Sequence, residues 1–338
     1  MTMTTQISST RGSRSVATSA GMVVTGVLLI GLCIMIFVPH VVGEYGTQIG
    51  FRALIYLTLA EAWNLLAGYG GLVSLGSSSF VGIGAYILMG MLNAGGFGIA
   101  TALTASGLGA SALAVIVSPA VFRLRGLYFT VGTLALGEAL RLFMINVSYF
   151  GGATGIFLNS NPPPIEVLYV YAVALAGIAT LVMEVATGTR FSILLRSVRD
   201  DEDAASQVGV RAFRVKLAAF AVASLLMGAA GGLQALKLGA IEPYGMFGLQ
   251  WSIDTLSIVI IGGLGVRFGP IVGTVFVIAL AEALADYPEL HLAMTGVILI
   301  LVIRFAPKGL CGLAQDLYRT FLGHWGRARA PQAGGAQT

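Results

Sequence analysis

The sequence predicts an all-α fold, a polytopic transmembrane bundle of about ten helices that includes short or broken ones. Three observations carry this. Only 10% of the 338 residues are charged while 57% are hydrophobic, and a soluble domain, about a quarter charged, could not cover its surface with so few. Several runs with few or no charges approach the roughly 20 residues that a helix needs to cross the hydrocarbon core. These runs are continuous, whereas membrane β-barrels show alternating segments of about ten residues.

Apolar segments fall in order at residues 21–38, 53–67, 79–92, 98–121, 127–147, 166–187, 217–236, 252–264, 270–284 and 290–304. The first follows a polar stretch with Arg11 and Arg14, as a signal peptide would. No small-x-small cleavage site follows it before Pro39 and His40, so it is read as a retained first helix. Residues 1–20 are expected to form a disordered cytoplasmic N-terminus, residues 21–306 the membrane domain, and residues 307–338 a cytoplasmic tail, with the small polar stretch after Gly326 disordered.

With the N-terminus inside, Arg123 and Arg125, the cluster Arg190–Lys216, Arg267 and the tail residues Lys308, Arg319, Arg327 and Arg329 all fall on the cytoplasmic side. The opposite loops hold Glu44, Glu166, Glu242, Asp286 and Glu289, with Arg52 and Lys237 as exceptions. This satisfies the positive-inside rule with both termini cytoplasmic.

Two pairs of segments enter, break at glycines and leave: Asn64–Tyr86 and Ile258–Phe276. Matching broken segments in the two halves of a transporter point to a substrate path; glycines also serve close helix packing without any such role.

Composition excludes several functions. The net charge of +4 is spread over loops and forms no basic face for nucleic acid. Cys33 and Cys311 make no disulfide framework, and His40, His291 and His324 are not at metal-ligand spacing. No paired carboxylates or serine–base dyad for an intramembrane enzyme appear at usable spacing, so no catalytic residue and no metal site are expected.

The densest charge is in residues 190–216, with six of the 19 basic residues and four consecutive acids, Asp200–Asp203. Asp200 is suited to cap a short helix, with Asp201, Glu202 and Asp203 in the first turn, where the helix dipole favours negative charge. Ala204 and Ala205 give a smooth surface, and Gly209 is a natural stop. The product is a short surface helix flanked by cationic arms, which either simply satisfies the positive-inside rule or docks another protein.

The Asp-Ala-Ala-x-x-x-Gly pattern from Asp203 to Gly209, after Arg-x-x-Arg-Asp-Asp-Glu, resembles the coupling-loop motif of ABC importer permeases. More narrowly, the chain is similar to branched-chain amino acid permeases of the LivM type. NLLAGYGGLVSLGSSSFVGIGAY (Asn64–Tyr86), Leu124–Arg141, Gly152–Ile156, IGGLGVRFGPIVG and Arg304–Leu310 resemble further signatures of that family, in its order, over about residues 50–313. Many members carry glutamine and histidine where this chain has Leu72 and Ser77, a departure that bears on the ligand.

The resemblance implies a bacterial inner-membrane subunit that pairs with a second, LivH-like permease, two cytoplasmic ATPases and an extracytoplasmic substrate-binding protein. It implies ATPase coupling through Arg199, Asp200, Asp201, Glu202, Asp203, Ala204, Ala205 and Gly209, with ATP and Mg at the partners and no cofactor in this chain. The chain itself has no G-x-x-x-x-G-K-[ST] loop. It would form a path for branched-chain or other hydrophobic amino acids; related permeases carry urea, small amides or aromatic acids.

Small polar groups suit a zwitterionic cargo, and Asn64, Ser74, Ser77, Ser78, Ser79, Thr133 and Thr154 are candidates for the path. Ionisable residues inside a membrane are functional hypotheses by default. Glu61 either faces the path near Asn64 or bonds between helices, and Glu138 and Arg141, three apart, favour a structural pair. An ion-coupled secondary transporter, the competing reading, would use Glu61 and Glu138.

Overall fold

The computed structural model describes Gly26, Gly31 and residues 39–286, 288–306 and 309–313. Most of the predicted first helix, the N-terminal segment expected to be disordered and most of the tail lie outside the described residues. Among the described residues the chain forms twelve α-helices: α1 (Pro39–Trp63), α2 (Ser77–Ala94), α3 (Ile99–Val121), α4 (Leu127–Asn146), α5 (Ile165–Gly188), α6 (Arg190–Asp200), α7 (Glu202–Gln207), α8 (Ala212–Leu238), α9 (Pro243–Met246), α10 (Gln250–Gly262), α11 (Gly269–Ala283) and α12 (Pro288–Phe305). Among the described residues seven helical stretches are long and apolar enough to cross a membrane, one of them running through α9 and α10 together. Every predicted apolar segment after the first falls on one of these helices. The only sheet among the described residues is a two-residue ribbon, in which β1 (Ile156–Phe157) pairs antiparallel with β2 (Ala240–Ile241).

The bundle is organised around α8, which is buried along most of its length against α2 and α3. Three apolar helices can meet this closely only where side chains are small. A Cβ on Gly84 would lie 2.0 Å from the Gly228 carbonyl oxygen, and one on Gly231 would lie 2.1 Å from that of Val81. Aromatic residues fill the space beside these contacts, with Phe80 and Phe122 ring centroids 5.3 and 5.4 Å from that of Phe220.

The breaks predicted at glycines are present. A π-helical turn, Asn64–Tyr69, continues α1 before the chain unwinds through Gly70 and Gly71. At 13 and 15 residues, α10 and α11 are each near 20 Å long, short of a hydrocarbon core about 30 Å thick.

Contacts sort the described loops onto two ends. Residues 64–76, 122–126, 189–211 and 263–268 meet one another through Arg199–Gly68, Arg125–Asp203 and Asn64–Gly265. Residues 155–162 and 239–242 meet at the other end through the β ribbon, where Asn93, near the end of α2, bonds Phe157 and Asn159. The first end carries Arg123, Arg125, Arg267 and the 190–216 cluster, so it is the basic end of the molecule.

Candidate functional site

The charged segment at the basic end folds as two helices separated by one residue. In α6, Ser192, Leu195 and Val198 recur every third position and are buried, which gives one apolar stripe between polar faces. The stripe docks on the π-helical turn. Arg196 lies over the Tyr69 ring with 4.9 Å between guanidinium carbon and centroid, and Arg199 Nη1 donates to the Gly68 carbonyl at 2.8 Å. That carbonyl belongs to the irregular backbone after α1, where intrahelical partners run out. The aliphatic stem of Arg199 covers Gly71, where φ is +69° and a Cβ would lie 2.4 Å from Arg199 Cγ.

The cap of α7 is Asp201, not Asp200 as the sequence suggested. Asp201 accepts the N–H groups of Asp203 and Ala204 at 3.0 and 2.9 Å, an interaction worth about 1 kcal/mol in helices generally. Asp200 is the last residue of α6, and its carboxylate pairs with Arg199 at 2.9 Å. Glu202 and Asp203 occupy the first turn, the favourable end of the dipole. The helix ends at Gly209, with φ +90°, where Gly209 N–H donates to Ser206 O and Val210 N–H to Ala205 O, each at 3.0 Å. That pairing is the Schellman arrangement and satisfies the last carbonyls.

Two faces of α7 differ. Glu202 bonds the buried Lys216 ammonium on α8 at 2.5 Å, and Ala205, 4% exposed, packs with Val198 and Ala212. Asp203 accepts two bonds from Arg125 at 3.2 Å in the open. Ala204 and Gly209 face outward, together with Val208, which is 81% exposed. Ala205 and Glu202, expected on the outer surface, therefore hold α7 to the bundle. Val208 was missed because a lone valine before a glycine carries no signal of its own.

The two glycine-rich breaks pack on each other. Asn64, fully buried, donates from Nδ2 to Val266 O at 3.0 Å and accepts Gly265 N–H at 2.8 Å. A Cβ on Gly68 would lie 2.6 Å from the Gly265 nitrogen. The loop carrying Gly265 is itself tied to α5 by an ion pair between Arg267 and Glu184. Asn64 thus satisfies backbone groups that neither break can pair internally.

The remaining path candidates separate. Glu61 is 2% exposed and accepts from Thr180 on α5 at 3.0 Å. Ser74 accepts the Gly76 N–H at 3.1 Å, and Thr133 accepts that of Leu75 at the same distance. Ser252 on α10 accepts the Ser78 N–H and donates to Leu75 O. Ser77 and Ser79 hydroxyls are buried without a hydrogen-bond partner among the described residues. In this conformation Glu61, Asn64, Ser74, Ser77, Ser78, Ser79 and Thr133 are all buried. Thr154 alone is exposed, at the opposite end, in an open cavity of about 320 Å³ shared with Glu242, Gly245 and Trp251.

This geometry, a bundle with an outward short helix and two apposed breaks, can be set against known proteins. Residues 47–303 match the family described as branched-chain amino acid transport system, permease component. The chain belongs to that permease family. It is 28% identical over 315 residues to the high-affinity branched-chain amino acid transport system permease protein LivM of Salmonella typhimurium, covering 84% of this chain and 74% of that protein. It is 28% identical over 308 residues to the protein of the same description from Escherichia coli, covering 82% and 72%. No solved structure matches this permease. Both glycine-rich breaks, α6 and α7 lie inside the matched residues, so the features built above belong to the part of the permease that the family shares. Among the described residues no group of histidine, cysteine or acidic side chains could hold a metal ion.

Proposed function

We propose that this chain is the membrane-spanning subunit of an ABC importer for branched-chain or other hydrophobic amino acids, in which α7 seats an ATPase partner and α6 carries the force inward. The observation that supports this most is the division of labour around Asp201. Outward, α7 and its glycine stop offer Ala204, Val208 and Gly209, a patch of small and apolar groups beside Ser206 and Gln207. Inward, Arg199 grips the Gly68 carbonyl, Glu202 grips Lys216, and Gly68 abuts Gly265. A push on α7 therefore reaches both broken segments through fixed polar contacts.

On this reading the basic end is cytoplasmic, as the positive-inside rule requires, and both termini are cytoplasmic. The partners are a second, LivH-like permease, two ATPases that hold ATP and Mg, and an extracytoplasmic substrate-binding protein. The name of the LivM relatives supports branched-chain cargo. The sealed serines and Thr133 would line the path once the breaks part, with Thr154 and its cavity near the outer mouth. Small polar groups without a fixed charge suit a cargo that carries both an ammonium and a carboxylate.

The test is reconstitution of the chain with its cognate subunits in proteoliposomes, with leucine, urea and phenylalanine compared. ATP-dependent uptake of leucine is expected. Preference for urea or phenylalanine would reassign the cargo, and uptake by the chain alone under a proton or sodium gradient would overturn the importer reading.

A further inference from the structure

The charged pair in α4 stands in an unusual place. Glu138 is 11 residues into a helix of 20, about 16 Å along a rod about 30 Å long. That is the middle of a span, where a charge facing lipid is unfavourable and rare. Yet the Glu138 side chain is 53% exposed. It pairs with Arg141 one turn on, whose guanidinium carbon sits 4.5 Å above the Tyr244 ring.

Glu138 is the one charge on an exposed face of α4 that otherwise shows Leu127, Tyr128, Val131, Ala135, Leu142 and Phe143, while Phe129, Thr133, Gly137 and Met144 face the bundle. Gly137 allows the helix to close on α2, because its Cβ would already lie 3.1 Å from the Ser78 hydroxyl. The exposed face also connects to an opening. Tyr244 adjoins Gly245, which lines the open cavity with Thr154 and Glu242. Arg141 and Tyr244 thus lie between the cavity rim at Gly245 and the carboxylate at mid-depth. On α5 the exposed residues from Ala174 to Val185 are Ala174, Ile178, Leu181 and Val185, with no charge among them, the composition expected against lipid.

We infer that the exposed face of α4 borders a water-filled path with the Glu138–Arg141 pair at its polar centre, whereas the exposed face of α5 meets lipid. The wet face does not rest on the amino-acid reading above, since it follows from charge and depth in a membrane-spanning chain.

Thiol labelling in the assembled, membrane-embedded transporter tests it. Cys33 and Cys311 are replaced by serine, and single cysteines are placed by Val131→Cys, Ala135→Cys and Leu142→Cys on α4, and by Ile178→Cys, Leu181→Cys and Val185→Cys on α5. Only the thiolate reacts, and it forms in water and not in hydrocarbon, so a negatively charged methanethiosulfonate should label the α4 positions roughly tenfold faster or more. Labelling after denaturation checks that each thiol is present and free. Equal, slow labelling of both sets would overturn the inference. Slow α4 positions that cross-link to the second permease would also overturn it, by making the face a dry subunit contact. Neither readout needs ATP or cargo, so the result stands apart from that of the uptake assay.

Discussion

Helices α6 and α7 are joined by one residue at the basic end, yet they close their bonding in different ways. In α6 the buried stripe and both Arg196 and Arg199 turn toward the irregular backbone after α1. In α7 the local backbone is satisfied at both ends by its own cap and its own glycine stop, leaving Ala204 and Val208 facing out. The contrast teaches how a nearly uncharged membrane protein can transmit a force applied in water. One element closes its own backbone, is anchored by Glu202 and Ala205 and offers a surface, and the other spends its side chains on the broken segment behind it and so cannot move independently of it.

The largest effect that separates the two faces is expected at adjacent alanines. Ala205→Trp must force an indole into the space against Val198 and Ala212, and overpacking of this kind typically costs about 1–3 kcal/mol, more for so large an insertion. The variant should show a lowered melting temperature in detergent and reduced yield. Ala204→Trp should match the unaltered chain in yield and melting temperature but fail to retain the ATPase subunits on co-purification. Two variants that behave alike would erase the distinction between the faces of α7.

A smaller effect is expected for Asp201→Ala. Loss of an N-cap costs about 1 kcal/mol, which corresponds to roughly a fivefold change in an equilibrium. ATPase affinity measured by titration should weaken by about that factor, while Asp200→Ala should weaken it less, because Asp200 caps nothing.

Much of this was legible in the sequence, for physical reasons that also mark the limits. Apolar run length locates helices because the bilayer fixes it, and glycine runs located the breaks because close backbone contact at Gly68 and Gly265 excludes a Cβ. The cap was misplaced by one residue because any of four consecutive acids can cap. The choice is made by where α6 stops, which depends on Val198 being buried and Arg199 reaching a carbonyl 131 residues away. The faces of Ala204 and Ala205 were equally hidden, since neighbouring residues on a helix point about 100° apart and only tertiary packing says which is inside. The serines read as path residues were recognisable as polar groups in apolar runs. Their burial depends on Ser252 and Gly137, partners that local spacing cannot reveal.

The claim that joins these observations is that α6 transmits what α7 receives, and Arg199 is its single most exposed dependence. Arg199→Met keeps the stem that covers Gly71 and removes the bond to Gly68. A hydrogen bond from a charged donor is worth about 1.5–3 kcal/mol. The direct measurement is the number of cargo molecules imported per ATP hydrolysed by the reconstituted Arg199→Met transporter. The account predicts intact assembly and continued hydrolysis, with that ratio reduced roughly tenfold or more. An unchanged ratio in an assembled, hydrolysing complex would contradict it.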